Sequence, residues 1–116
     1  MFGFQKLDVY RCAIEFLSLA APLSESVPKG YAALGDQLRR ASSSIPLNLA
    51  EGTGRMTSAD KKHYITIARS SVFECVAILQ VLGELGSLPL AQAQDLYDRY
   101  EKVSKMLLGM YRSHSE

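Results

Sequence analysis

Apolar side chains recur along most of the chain at alternating spacings of three and four residues, which is the period at which an α-helix returns to the same face. Four segments carry this pattern, and they predict helices over residues 8–26, 32–51, 58–85 and 90–113. The stretches between them are short and contain glycine or proline, which is typical of turns. No segment alternates with period two over a useful length, so no strand is predicted. The pattern predicts an all-α chain in which residues 1–116 form a single antiparallel up-down-up-down four-helix bundle.

The first and third segments are more apolar than a bundle helix requires. Residues 72–82 are apolar on almost every side of the predicted third helix. The first segment has two parallel stripes, which are Leu7, Tyr10, Ile14, Leu17, Ala21 and Val9, Ala13, Phe16, Ala20, Leu23. One stripe is enough for a helix in an isolated bundle, so the surplus indicates either a wide core or burial against further copies of the chain. We favour a homo-oligomer.

The composition is that of an ordinary globular domain, with 47% hydrophobic and 22% charged residues among 116. The longest apolar run is far shorter than the roughly 18 residues that suggest a membrane span, and no secretory signal pattern opens the chain. Cys12 and Cys75 fall within helical apolar patterns and lack further ligands at metal-binding spacing. We therefore expect a cytoplasmic protein with no membrane contact, no metal and no cofactor.

The net charge of +1 conceals an uneven distribution of charged residues. Residues 29–69 contain seven basic and three acidic side chains, whereas residues 70–101 contain one basic and five acidic side chains. Such asymmetry indicates either an anionic partner or self-association between unlike surfaces. A nucleic acid would need only positive charge at a surface to bind its phosphates. The candidate contacts for RNA or DNA are Lys29, Arg39, Arg40, Arg55, Lys61, Lys62 and Arg69.

The residues that could perform catalysis are few. Nothing in the sequence supplies an orienting carboxylate or an oxyanion hole for His63 or His114. The Glu-x-x-His pairs of di-metal bundles do not occur. Residues 52–55, Gly-Thr-Gly-Arg, lack the preceding strand and the Lys-Ser/Thr ending of a phosphate-binding loop. We interpret them as an interhelical turn whose glycines, Gly52 and Gly54, supply positive φ angles, with Gly52 as the left-handed stop of the second helix. We expect no enzyme activity.

A second group of polar residues converges on this turn. Asn48 and Glu51 share one face of the last turn of the second helix, and Arg55 is close enough to reach back to Glu51. Glu74 stands within the apolar centre of the third helix, where a carboxylate is costly unless it is paired. The cluster of Asn48, Glu51, Gly52, Gly54, Arg55 and Glu74 is either a structural clasp or a ligand or nucleic-acid site.

Four motifs occur in order along almost the full length of the chain. They are Phe4-Gln5-Lys6-Leu7-Asp8-Val9-Tyr10, Gln37-Leu38-Arg39-Arg40-Ala41-Ser42-Ser43-Ser44-Ile45-Pro46, Asn48-Leu49-Ala50-Glu51-Gly52-Thr53-Gly54-Arg55 and Ile67-Ala68-Arg69-Ser70-Ser71-Val72-Phe73-Glu74. With them the chain resembles the bacterial four-helix bundle proteins first noticed as open reading frames within intervening sequences of 23S ribosomal RNA genes. The residues that match the family pattern are Arg39, Arg40, Asn48, Glu51, Gly52, Gly54, Arg55, Ser71 and Glu74.

This resemblance implies a bundle that assembles as a homopentameric ring. It also implies kinship with the accessory variability protein of diversity-generating retroelements, a basic pentameric barrel that binds nucleic acid and a reverse transcriptase. The family has no established enzyme activity. We therefore expect a non-enzymatic homo-oligomer that binds RNA or DNA through basic residues of its second and third helices. The alternative is an oligomeric scaffold for a protein partner, with no nucleic-acid role.

Overall fold

The computed structural model describes residues 1–114. Its elements are a short 3-10 turn, Gly3–Lys6, and the helices α1 (Asp8–Glu25), α2 (Ala32–Thr53), α3 (Ser58–Glu84) and α4 (Leu90–Ser113). The prediction of an all-helical chain with four helices is confirmed, and no strand occurs within residues 1–114. The predicted bounds differ from the observed ones by at most two residues. Residues 115 and 116 of the predicted domain lie outside the described residues.

The buried face of α1 belongs to one of its two apolar stripes. Val9, Ala13, Phe16, Ala20 and Leu23 are all buried in the core. The other stripe, which begins at Leu7, is half-buried or exposed, and its Ile14 is 42% exposed. Both stripes have helical spacing, so only the positions of the neighbouring helices decide which one enters the core.

The other three helices complete a single hydrophobic core. The apolar repeat of α2, formed by Leu34, Leu38, Ala41, Ile45 and Leu49, is buried from Leu38 onward. The repeat of α3, formed by Tyr64, Ala68, Ser71, Cys75, Ile78, Leu82 and Leu85, is buried from Ala68 to Leu82. The repeat of α4, formed by Leu90, Ala93, Tyr97, Tyr100, Val103, Leu107 and Met110, is only partly buried, because Tyr97 is exposed and Leu96 is buried beside it. The helix pairs in contact are α1 with α2, α2 with α3, α3 with α4, and α1 with α4.

The end of α2 corrects the expected role of Gly52. The helix continues through Gly52 to Thr53, and Gly54 has a φ of −83°, so neither glycine has the expected positive φ angle. Positive φ angles occur instead at Gly30 (92°) and Gly86 (73°). Gly52 is buried against α3, where an added Cβ would lie 3.0 Å from the Cβ of Tyr64. The glycine is therefore required by the close approach of two helices and not by a left-handed backbone.

Among the described helices, α3 is the one that is long and apolar enough to cross a membrane by length and composition alone. Within its most apolar window, 44% is buried inside the bundle. A core helix of a soluble protein has the same properties, so this is weak support for a membrane span. The expected lack of membrane contact stays a prediction.

Candidate nucleic-acid interface

The turn between α2 and α3, residues 54–57, is called the α2–α3 corner below. Arg55 lies in this turn and contacts both helices. Its Nη2 donates to the Glu51 carboxylate at 2.8 Å and to the Tyr64 hydroxyl at 2.5 Å. The guanidinium carbon is 4.6 Å from the centroid of the Tyr64 ring. The hydrogen bond to Glu51 raises the pKa of Arg55 above its ordinary value. The contact with Glu51 is the one expected from the sequence, whereas the contact with Tyr64 was not predicted.

Asn48 belongs to a different hydrogen-bond network. Its amide Nδ2 donates to the backbone carbonyl and to the hydroxyl oxygen of Ser44, both at 2.8 Å. The Ser71 hydroxyl donates to the Ser44 hydroxyl oxygen at 2.8 Å and so connects α3 to this network. These polar groups satisfy one another at the α2–α3 contact, which is what burial of hydroxyl and amide groups requires. The bond between Ser71 and Ser44 joins the two helices, and Asn48 contacts the same Ser44 hydroxyl from within α2.

Glu74 does not join the predicted polar cluster. Its side chain is exposed, next to Phe73, which is 55% exposed. Within residues 1–114 no basic group lies at ion-pair distance from it. The expectation that it needs a partner was wrong because one side of the apolar stretch 72–82 faces away from the core. A solvated carboxylate has no desolvation cost that a partner must offset.

The seven candidate cations divide into two groups in space. Lys29 precedes α2, while Arg39 and Arg40 lie in its first half, and all three are exposed. Arg39 donates to the Asp36 carboxylate at 3.0 Å and to the Ser24 hydroxyl oxygen at 3.4 Å. This group therefore lies beside the end of α1, away from the α2–α3 corner.

The second group begins at the corner with Lys61 and continues along the contact between α3 and α4. Lys61 donates to the Thr53 carbonyl at 3.0 Å. The other two candidate cations of α3, Lys62 and Arg69, face α4. The Lys62 ammonium is 4.7 Å from the centroid of the Tyr111 ring, and the Arg69 Nε donates to the Ser104 carbonyl at 3.4 Å.

The α4 residues that immediately follow these two contacts are also basic. Lys105 follows Ser104, and Arg112 follows Tyr111. Neither was among the sequence candidates, because they lie more than thirty residues downstream of the basic segment. We use the name basic half for Arg55, Lys61, Lys62, Arg69, Lys105 and Arg112.

The histidines do not form a recognisable catalytic arrangement in the described part of the chain. His63 is exposed, and its ring lies edge-on to Tyr64 at a centroid distance of 5.2 Å. Residues 1–114 contain no group of three or more His, Cys, Asp or Glu side chains that could hold a metal ion.

The four helices, with a polar turn between the second and the third, place the chain in the class of all-helical, four-helix proteins. Comparison with known families shows which family of this class it belongs to. The chain matches the model of the family described as 23S rRNA-intervening sequence protein over residues 5–109. It therefore belongs to this family, and the resemblance drawn from the motifs is confirmed.

A solved structure supports the same fold. It is the crystal structure of a protein of unknown function from the S23 ribosomal protein family of Bacteroides thetaiotaomicron, with a TM-score of 0.82 to this chain. The two sequences are 19% identical, and the match covers 89% of this chain and 97% of that one. At this identity the likeness shows the fold alone. No curated protein matches the chain.

Proposed function

We propose that this protein is a non-enzymatic homo-oligomer that binds RNA or DNA through the basic half. The observation that carries the proposal is the contact of Lys62 and Arg69 of α3 with Tyr111 and Ser104 of α4, each of which is followed along α4 by an exposed basic residue. Clustered positive charge on one surface attracts phosphates whatever the base sequence, because the phosphate backbone supplies most of the electrostatic free energy of binding.

The helices are proposed to follow an up-down-up-down order. Lys62 contacts Tyr111 and Arg69 contacts Ser104, so positions rise along α3 while they fall along α4. This is the relation expected of antiparallel neighbours. The connections between successive helices are also short.

The assembly is proposed to be a homopentameric ring in the cytoplasm. Its support is a set of exposed apolar residues, among them Ile14, Phe73 and Tyr97. Their exposure to water is unfavourable in a monomer, and contacts between copies of the chain would cover them. The number five comes from the family resemblance. The free thiols of Cys12 and Cys75 support a reducing compartment.

Two triple variants with the same change in charge test the nucleic-acid proposal. The first replaces Lys62, Arg69 and Arg112 with glutamine. The matched control replaces Lys29, Arg39 and Arg40 of the other basic group with glutamine. Both variants retain Arg55 and Lys61, whose contacts hold the α2–α3 corner together.

Affinity for a fluorescein-labelled single-stranded RNA, and for the matching DNA, is measured by fluorescence anisotropy over a range of salt concentrations. The first variant should bind more weakly, and its slope of log affinity against log salt should fall by about two, since each single-strand phosphate contact contributes about 0.7. The control should keep the slope of the unaltered protein. Equal losses in the two variants, or no binding by the unaltered protein at low salt, would refute the proposal.

A second candidate function is that of a homo-oligomeric scaffold for a protein partner. The observation in its favour is an apolar groove between α3 and α4, with a hollow of about 220 Å³ lined in part by Phe73, Val76 and Tyr97. Protein interfaces are built around such aromatic and aliphatic surfaces. An oligomer that ignores nucleic acid at low salt and loses a specific protein partner on Phe73→Asp would favour this function.

A further inference from the structure

A separate cavity lies where the N-terminal 3-10 turn, the α2–α3 corner and the last turns of α4 meet. Its volume is about 580 Å³, within the range of roughly 300–1,000 Å³ that is usual for small-molecule sites. The walls are mainly apolar and include Phe4, Leu7, Ile65 and Met110. The cavity is therefore large enough for a small organic molecule and offers it an apolar environment.

Several backbone carbonyls at the end of α2, beside this cavity, already accept hydrogen bonds. The Gly54 amide donates to the Glu51 carbonyl at 3.2 Å, and the Arg55 amide donates to the Gly52 carbonyl at 3.1 Å. The Thr53 hydroxyl donates to the Ala50 carbonyl at 2.8 Å. A hydrogen-bond donor on a ligand would share these carbonyls with the bonds that they already accept.

Two side chains of the cavity wall, Lys61 and His114, have nitrogen atoms that could bind a ligand. The Lys61 ammonium is half-buried and uses one of its protons in the 3.0 Å hydrogen bond to the Thr53 carbonyl. An ammonium has three protons to donate, so two remain. Within residues 1–114 no carboxylate lines the cavity. A partly buried ammonium with protons to donate is complemented by an anionic group on the ligand.

We infer that this cavity binds a small, predominantly apolar molecule that carries one anionic group. The apolar body lies against Leu7, Ile65 and Met110, and the anion accepts hydrogen bonds from Lys61. This function goes beyond the proposed binding of nucleic acid, which needs surface cations and no cavity. Lys61 belongs to both the cavity wall and the basic half, whereas Lys62 belongs to the basic half alone and lies over Tyr111, outside the cavity. Lys62→Gln therefore affects only the proposed binding of nucleic acid.

Two fluorescent probes test the inference with the full chain. The first is 8-anilinonaphthalene-1-sulfonate, an apolar aromatic anion. The second is N-phenyl-1-naphthylamine, which has the same ring system without the sulfonate. The unaltered protein should bind both saturably. Lys61→Gln should weaken binding of the anionic probe about tenfold, as loss of a hydrogen bond to a charged group implies, and should leave binding of the neutral probe unchanged.

Lys62→Gln is the matched control, since it removes the same charge one residue away. It should leave the affinity for both probes unchanged. Equal weakening by Lys61→Gln and Lys62→Gln would mean that the probe responds only to overall charge, and the inference would be wrong. Equal effects of Lys61→Gln on the two probes would also overturn it, because the sulfonate would then not be recognised.

A third variant tests whether the probes occupy this cavity. Ala50 is half-buried in its wall, and Ala50→Leu reduces the free volume. It should weaken binding of both probes, while circular dichroism shows an unchanged helix content and light scattering an unchanged mass. Probe binding that is insensitive to Ala50→Leu in a folded variant places the probes elsewhere and refutes the inference. A cavity closed by a second copy of the chain would show no saturable probe binding, which refutes it as well.

Discussion

Replacement of Gly35 by alanine is the sharpest test of the contact between α1 and α2. Alanine stabilises a helix interior by up to about 1 kcal/mol relative to glycine, so propensity alone predicts a more stable protein. Gly35 lies in α2 and is buried. A Cβ there would overlap the carbonyl oxygen of Ser24 and would lie 3.2 Å from the Ser24 carbonyl carbon. Both are backbone atoms, so a side-chain rotation cannot relieve the clash.

The sign of the effect follows from comparing these two contributions. Relief of the clash requires α1 and α2 to move apart, and overpacking of this kind typically costs about 1–3 kcal/mol. After a gain in helix propensity of about 1 kcal/mol is subtracted, Gly35→Ala should lower the free energy of unfolding by up to about 2 kcal/mol. Gly109 in α4 is the matched control, because a Cβ there would meet nothing within 4 Å. Gly109→Ala should therefore raise the free energy of unfolding by up to about 1 kcal/mol.

Urea unfolding followed by circular dichroism measures both changes. Protein concentrations must be equal, since the stability of an oligomer depends on concentration. The slope of the unfolding free energy against urea concentration should be the same in both variants and in the unaltered protein, which would show that their denatured states are comparable. In thermal unfolding, each kcal/mol corresponds to roughly 4 °C for a domain of this size. If Gly35→Ala were as stabilising as Gly109→Ala, the close approach of α1 to Gly35 would be refuted.

Three further predictions concern the core and the α2–α3 corner. The Tyr100 hydroxyl is buried beside the Cys75 thiol, a weak hydrogen-bonding group, and has no other hydrogen-bond partner among residues 1–114, so Tyr100→Phe should change the free energy of unfolding by less than about 1 kcal/mol or raise it; a larger loss in urea unfolding would mean that the hydroxyl is strongly bonded. Burial raises the pKa of Cys75 from its ordinary value of 9.0 to about 12, so the folded state keeps a proton that the unfolded state releases between these values. The Cys75 thiol should therefore lower stability by about 1.4 kcal/mol per pH unit in that window, and burial of Tyr100, which raises the pKa of its hydroxyl, adds a slope of the same sign. Cys75→Ala should reduce the slope measured by urea unfolding; an unchanged slope would contradict the burial of an ionisable thiol. Glu51→Gln removes an exposed ion pair with Arg55 and should cost less than about 1 kcal/mol; a loss above 2 kcal/mol would show that the pair is shielded from water.

The helices themselves follow from local features of the sequence. Helical hydrogen bonds join residues four apart, and the apolar spacing, the turn residues and the cap at Thr57 all lie within a few positions of what they determine. The contact between Arg55 and Glu51 is local in the same sense, because these residues are four apart. Such features could be predicted without knowledge of how the helices pack.

The candidate site could be predicted only in part, because its members meet across helices. The two groups of cations are close in sequence but separate in space, since Arg39 contacts the end of α1 while Lys62 faces α4. Conversely, Arg112 lies fifty residues after Lys62 in the chain, but it directly follows Tyr111, whose ring Lys62 contacts. Spacing along one helix contains no information on which helix lies opposite.

The sequence by itself determined the number and length of the helices, because the 3.6-residue period and the turn residues act over a few positions. Only the tertiary structure decided which stripe of α1 is buried and why position 52 is glycine. It also decided that Glu74 is solvated. The physical reason is the same in each case. Burial and close contact depend on two helices at once. A side chain whose spacing along its own helix predicts burial is exposed when no neighbouring helix covers it.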